Sequence, residues 1–123
     1  AHAVALAPDV AAAGNLLSDR AVPDRMVEAF LADPDAHLGD RILAAMQAAL
    51  DAGGEEGPGH SAGMLLVDKV GWPVADLRID WSEGDPISEL AALWQLWRPQ
   101  MDAYVTRALD PSTAPSYGVP GDE

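Results

Sequence analysis

Two neighbouring segments with different hydropathy patterns constrain the fold of this chain most strongly. Residues 61–67 are apolar on both faces of an extended chain, which is typical of a strand that is buried on both sides. Gly71-Trp72-Pro73 then predicts a turn. The next segment alternates strictly, so a strand would place Ala75, Leu77, Ile79 and Trp81 on one face and Asp76, Arg78 and Asp80 on the other. These residues predict a β-hairpin with a buried strand and a half-buried partner.

Three further segments carry helical patterns. Pro23 suits the first turn of a helix that Asp33-Pro34 ends. A second helix ends at Gly53-Gly54, and its apolar stripe consists of Leu38, Ile42, Ala45, Met46, Ala49 and Leu50. A third helix begins at Pro86, and Pro99 inside it predicts a kink, because a proline ring removes one backbone hydrogen bond.

The number of predicted strands is small for a closed sheet. Residues 10–15 fit either a short buried strand that ends at a Gly-Asn turn or a helical alanine run, and the local pattern leaves both open. The remaining pattern, one hairpin and three helices, predicts an α+β fold. We expect residues outside this chain to complete the sheet. We divide the chain into one domain, residues 1–109, and a proline-rich extended arm, residues 110–123.

The charge balance excludes several classes of partner. Seven Lys and Arg against twenty Asp and Glu give a formal net charge of −13, which repels nucleic-acid phosphates and anionic membrane surfaces. The chain has neither an apolar segment of transmembrane length nor the features of a signal peptide. We therefore expect a cytoplasmic protein that binds neither nucleic acid nor membranes, although a processed precursor would have the same sequence.

Few residues carry an obvious chemical motif. His2, His37 and His60 are scattered without metal-binding spacing, and the chain has no cysteine, so neither a metal nor another cofactor is predicted. His60 and Ser61 are neighbours whose side chains would point to opposite faces of a strand, so they do not form a nucleophile-base pair. Ser61, at the end of a glycine-rich loop, fits a structural hydroxyl better than a functional one.

The charged face of the predicted outer strand has two interpretations. Asp76, Arg78 and Asp80 share this face, so the Arg78 guanidinium can bridge two carboxylates. A half-exposed strand normally has such a solvated face. If the face is covered instead, the three residues form a buried network that organises a site.

Several blocks, in order and with matching spacing, resemble the carboxy-terminal half of a bacterial family, domain of unknown function 1028, which is placed among the N-terminal-nucleophile (Ntn) hydrolase-like proteins. The blocks are Gly14-Asn15-Leu16-Leu17, residues 27–30, residues 38–46, Gly53-Gly54, Ser61-Ala62, residues 76–80 and residues 85–90. This chain departs from the family pattern in the glycine loop. It has Glu56, Gly57 and His60 where family members tend to carry basic residues and a glutamine.

The resemblance implies an αββα four-layer Ntn-type sandwich, of which this chain is a part. It also implies a nucleophilic threonine at the mature amino terminus of the full protein, with its own α-amine as the base. Residue 1 here is alanine, and the part that would carry the threonine precedes His2. We therefore interpret the chain as the carboxy-terminal portion of a nicked, split or truncated protein. Its expected partner is the amino-terminal half or a companion chain, in an oligomer.

Four residues become candidate site residues through this resemblance. Asn15 is the catalytic candidate, because an amide at a strand end can donate to a developing oxyanion. The alternative is an asparagine chosen for its tolerance of a left-handed turn. Asp76 and Arg78 are candidates for organising the site, and Ser61 for contacting substrate.

Three functional hypotheses follow. The first is part of an Ntn-type hydrolase of a small amide or peptide-like substrate, inactive as this chain alone. The second is a catalytically silent relative that binds a ligand or a protein. The third is a freestanding interaction module, which requires Trp94, Trp97 and Tyr104 to be exposed.

Overall fold

The computed structural model of the chain describes residues 1–116 and has mixed α and β structure. The elements follow the order β1 (Ala3–Ala7), β2 (Val10–Gly14), α1 (Val22–Ala32), α2 (Leu38–Asp51), β3 (Ala62–Leu66), β4 (Ala75–Ile79), α3 (Pro86–Leu109) and a short 3-10 turn at Pro111–Thr113. The predicted α+β class and the three helices are confirmed. None of these helices is long and apolar enough to cross a membrane.

The first hairpin is the element that the sequence left undecided. Strands β1 and β2 pair antiparallel with Ala5 opposite Ala12. The turn between them contains Pro8 and Asp9, and Asp9 has a φ of 65°, a left-handed conformation that aspartate tolerates better than most residues. The alanine run is therefore a strand, and the described residues contain two hairpins rather than the one predicted. Alanine has no strong preference for a strand, which is why this hairpin was missed.

The second hairpin is the one that the alternating pattern predicted. Strands β3 and β4 pair antiparallel with Met64 opposite Leu77. The inner side of β3 is buried through Met64 and Leu66, whereas Leu65 and Val67 on the outer side are exposed. The expectation that β3 is buried on both faces is therefore met on one face only within residues 1–116.

Trp94 lies at the centre of the main core. This side chain of α3 is fully buried and is one of seven core residues: Met64, Leu66, Val74, Ala75, Leu90, Trp94 and Met101. Its indole N–H donates to Asp40 Oδ1 of α2 at 2.8 Å, and Arg98 also pairs with Asp40. Trp97 donates its N–H to the Val74 carbonyl. The interaction-module hypothesis required Trp94, Trp97 and Tyr104 to be exposed. Tyr104 is exposed, but Trp94 is fully buried and Trp97 is half-buried, so the requirement is not met.

Helix α1 covers one face of the first hairpin and packs against α2. Ala5 and Ala12 pack against Val27 of α1 in a second, smaller core. His37 caps the start of α2, because its Nδ1 accepts from the backbone N–H of Gly39. Gly53 and Gly54, both with positive φ, follow the end of the helix. The predicted glycine stop is thus confirmed.

The carboxy-terminal part of the chain consists of the long helix α3 and the residues that follow it. Helix α3 extends from residue 86 to residue 109 and includes Pro99, so the helix continues on both sides of the proline. Of the predicted arm, residues 110–123, the first part contains a single 3-10 turn, and residues 117–123 lie outside the described residues. The division into a domain and an arm stays a prediction.

Candidate functional site

Asn15 lies at the junction between the first hairpin and the glycine-rich loop that follows α2. The Ser18 N–H donates to the Gly54 carbonyl at 2.9 Å, and the Glu56 N–H donates to the Leu16 carbonyl at 2.8 Å. Leu17 is buried and forms an isolated bridge with Glu55. Hydrogen bonds between residues 16–18 and the distant residues 54–56 therefore hold the backbone next to Asn15 in place.

The amino-terminal residue adds a second support to the same segment. The Leu17 N–H donates to the Ala1 carbonyl at 2.8 Å, and the Ala1 amino group donates to the Leu17 carbonyl at 3.0 Å. Gly14 lies close to the Leu17 side chain: a Cβ at this position would lie 2.7 Å from a methyl group of Leu17, which would then have to shift. The peptide that carries Asn15 is thus fixed from both sides.

The Asn15 side chain is exposed, and its amide makes no hydrogen bond within residues 1–116. The left-handed conformation belongs to the next residue, Leu16, whose φ is 51°. A non-glycine residue with positive φ is a strained conformation that occurs often at functional sites. The alternative explanation of Asn15, tolerance of a left-handed turn, therefore does not apply to it, and its amide N–H groups are free to donate to a ligand.

Asp76 and Arg78 lie on the outer face of β4, which is exposed. Arg78 Nε is 3.8 Å from Asp80 Oδ1, and both side chains are largely exposed. No ion pair joins Arg78 to Asp76 in the part of the chain that the structure describes. Arg78 was predicted to bridge two carboxylates, and it pairs with one of them, Asp80. An ion pair that is this exposed contributes little to the stability of the fold. Leu77 and Ile79 on the other face are half-buried against the main core.

Ser61 precedes β3 and is exposed. The neighbouring His60 ring does not bond to it. Instead, His60 Nδ1 lies 2.8 Å from the Ser82 carbonyl, and the ring stacks on Trp81 with 4.0 Å between ring centroids and an interplanar angle of 7°. The prediction that His60 and Ser61 form no nucleophile-base pair is thus confirmed for the described residues.

The stacked pair of His60 and Trp81 is a feature that sequence reasoning missed. The β3–β4 register places Ala62 opposite Ile79, so continuing it by two residues places His60 opposite Trp81. Trp81 also donates its indole N–H to Glu83 at 2.9 Å. The predicted outer strand already contained Trp81, so knowing the register and extending the inner strand from residue 61 to His60 would have found this pair.

The four candidate residues belong to two separate parts of the fold. Asn15 follows the first hairpin, whereas Ser61, Asp76 and Arg78 belong to the second, and the two hairpins form separate two-stranded sheets. Within residues 1–116, no group of three His, Asp or Glu side chains is placed to hold a metal ion.

The surface also has an open depression of about 510 Å³ between α1 and α2. Its lining is mostly alanine, with Arg25, Glu28 and Asp51 as the charged side chains. Arg25 donates to Glu28 at 2.7 Å, and this hydrogen bond raises the pKa of Arg25 above its ordinary value. The depression contains none of the candidate residues and no hydroxyl group, so it does not resemble a nucleophilic site.

Comparisons with known proteins point to one family. A family model described as "family of unknown function (DUF1028)" matches residues 1–90. The crystal structure of protein SPO2555 from Silicibacter pomeroyi, which is assigned to the same family, is similar with a TM-score of 0.66 and 36% sequence identity over 77% of this chain. The chain spans 41% of the length of that protein. No curated protein matches the chain significantly.

Proposed function

Because this chain belongs to the family of unknown function DUF1028, we propose that it is the carboxy-terminal portion of an Ntn-type amide hydrolase. The nucleophile comes from a companion portion, and the two portions form a heteromer. The chain contributes helices, two hairpins and part of the site wall. The substrate is a small amide or a peptide-like molecule.

The observation that carries this proposal is the free amide of Asn15 on a fixed backbone. Its N–H groups are not bonded within the described residues, and both backbone neighbours of the segment are anchored by main-chain hydrogen bonds. A preorganised donor stabilises an oxyanion well because it need not reorient during the reaction. An amide donor also stays neutral over the whole pH range of such a reaction.

The chemistry follows from this assignment. The hydroxyl oxygen of the companion's terminal residue attacks the substrate carbonyl, and the adjacent α-amine accepts the hydroxyl proton. The carbonyl oxygen becomes negatively charged and accepts a hydrogen bond from the Asn15 amide. The carbon–nitrogen bond then breaks, and the protonated amine returns its proton to the leaving nitrogen. Water hydrolyses the acyl intermediate in the second half of the reaction.

Arg78 and Asp76 have a supporting role in this proposal. Both lie on the exposed face of β4, where a covering layer would remove water from Asp76 and from the Arg78–Asp80 pair. Once water is excluded, the Arg78 guanidinium would hold nearby carboxylates in a fixed orientation, because water would no longer screen the attraction between the charges. Ser61, which is exposed directly before β3, would contact the substrate from the same hairpin.

A catalytically silent relative that binds a ligand or a protein is the second candidate. It is favoured by one observation: the His60 ring lies on the Ser82 carbonyl and on Trp81 rather than on its neighbour Ser61, so it does not activate that hydroxyl. The two candidates differ in whether the companion portion carries a hydroxyl or thiol at its free amino terminus.

Reconstitution tests the proposal. The chain would be co-expressed with the portion of the Silicibacter pomeroyi protein that it does not match, and hydrolysis of a panel of small amides would be followed. We expect no turnover from this chain alone and turnover from the pair. A pair that is folded and associated, and that hydrolyses none of the amides, would favour the silent relative instead.

A further inference from the structure

The pairing of the first hairpin changes register directly after β2. The two strands end with Ala3 opposite Gly14, so regular pairing would continue with residue 1 opposite residue 16. Instead, Ala1 exchanges two backbone hydrogen bonds with Leu17, in which each residue donates to the carbonyl of the other. One side of the pair therefore has two residues, 15 and 16, where the other side has only residue 2. This arrangement is a β-bulge, a feature that is common next to active sites.

The bulge places His2 opposite Asn15 and Leu16. Exposure alternates along both strands, with the even-numbered residues of β1 and the odd-numbered residues of β2 on the outer face of the hairpin. His2 and Asn15 are exposed and continue these two series. Neighbours across an antiparallel pair, on the same face, have Cβ atoms about 5 Å apart. The imidazole and the amide can therefore reach the same atom of a ligand.

His2 and Asn15 are the polar members of this face of the hairpin. The other side chains on the same face are aliphatic: Val4, Leu6, Ala11 and Ala13. Within residues 1–116, neither the His2 ring nor the Asn15 amide makes a hydrogen bond. Both groups are therefore available to a polar atom of a ligand that binds at this end of the hairpin.

An imidazole suits the same task as the amide beside it. A carbonyl oxygen that becomes negatively charged during acyl transfer is stabilised by preorganised hydrogen-bond donors, among them asparagine and histidine side chains. A histidine ring carries at least one N–H group in either neutral tautomer and in its protonated form. His2 can therefore donate a hydrogen bond in each of these states.

We propose that His2 is a catalytic residue of the Asn15 site, where its ring N–H and the Asn15 amide donate together to the developing oxyanion. This inference rests on the proposed function, because the oxyanion forms during amide hydrolysis. The ring only donates a hydrogen bond, and the α-amine of the companion portion remains the base. The backbone hydrogen bonds between Ala1 and Leu17 close the bulge and hold the two donors in register.

Two substitutions of His2 test this role in the reconstituted pair, with the companion portion taken from the Silicibacter pomeroyi protein and the panel of small amides as substrates. His2→Ala removes the donor and should lower kcat by roughly a hundredfold, as for the loss of one oxyanion donor. The change in KM should be small, because the hydrogen bond strengthens in the transition state. His2→Gln keeps an N–H donor on a side chain of similar length, so its kcat should be at least tenfold higher than that of His2→Ala.

Lys69→Ala is the control for these variants. It also removes an exposed N–H donor, but from the connection between β3 and β4, so turnover should be unchanged. Because His2 and Lys69 are both exposed, all three variants should keep the melting temperature of the isolated chain and its association with the companion portion.

Three results would overturn the role of His2 while leaving the hydrolase intact. They are an unchanged kcat for a folded and associated His2→Ala pair, a loss confined to KM, and an equal loss of kcat for His2→Gln and His2→Ala. Absence of hydrolysis by the unmodified pair would instead contradict the proposed function, and the role of His2 would fall with it.

Discussion

Asn15→Ala is expected to lower the turnover of the reconstituted pair by roughly a hundredfold, the loss typical of removing one oxyanion donor. The effect should fall on kcat rather than on KM, because the hydrogen bond strengthens as negative charge develops in the transition state. The Asn15 amide makes no hydrogen bond within residues 1–116, so its removal should leave the melting temperature of the chain nearly unchanged.

Gln100→Ala is the control for this substitution. It also removes an exposed amide, but from the part of α3 that lies outside the family match. The Gln100 side chain donates only to the Leu96 carbonyl of its own helix. Turnover should be unaffected by this change. An Asn15→Ala protein that is folded, associated and as active as the unmodified pair would remove Asn15 from the site.

Trp94→Ala is expected to destabilise the isolated chain by about 3–5 kcal/mol, as is typical of truncating a buried tryptophan. Trp94 is fully buried and is surrounded by side chains from β3, β4 and α3. Its N–H group also bonds Asp40, which connects α3 to α2. Removing the indole leaves a cavity and takes one hydrogen bond away from Asp40, which keeps its pair with Arg98. A domain of this size has little stability to spare.

Two further variants separate the causes of this loss. Trp94→Phe keeps most of the volume and removes the hydrogen bond, so it should cost less than Trp94→Ala. Gly39→Ala keeps the indole but places a Cβ about 2.7 Å from its ring atoms, which forces Trp94 to move and should cost about 1–3 kcal/mol. Trp81→Ala is the control, because Trp81 is largely exposed.

The free energy of unfolding of each variant would be measured by urea denaturation of the isolated chain. A change of less than 1 kcal/mol for Trp94→Ala would show that the two hairpins and the helices do not share one cooperative core.

The sequence was most informative where the residue types and the spacing of apolar side chains indicated the same secondary structure. The alternation in residues 75–79 predicted β4 because Leu77 and Ile79 had a core to face. Proline and glycine marked the ends of α1 and α2. Proline fixes φ and has no N–H to donate, whereas glycine readily adopts the positive φ that ends a helix.

The first hairpin could not be predicted in the same way. Its strands consist mainly of alanine with Val4, Leu6 and Val10, and alanine is compatible with a helix, a strand or a buried turn. What decides the conformation is packing of Ala5 and Ala12 on Val27, a contact between distant residues. Local patterns do not contain such contacts.

The candidate site was predictable only in part. The exposure of Asn15 and the left-handed conformation of Leu16 depend on hydrogen bonds to the glycine loop, almost forty residues later in the chain. The burial of β3 depends on which other elements pack on it, so the apolar pattern alone did not distinguish the buried face from the exposed one. The pairing of His60 with Trp81 depended on the register of the hairpin.

The most direct test of the account is the location of the nucleophile. The reconstituted pair would be treated with an acylating inhibitor of amide hydrolases, and the intact mass of each portion would then be measured. We predict a single adduct on the companion portion, at its amino-terminal hydroxyl or thiol, and none on this chain. An adduct on this chain, at Ser61 or any other residue, would contradict the claim that its chemistry depends on a nucleophile supplied from outside.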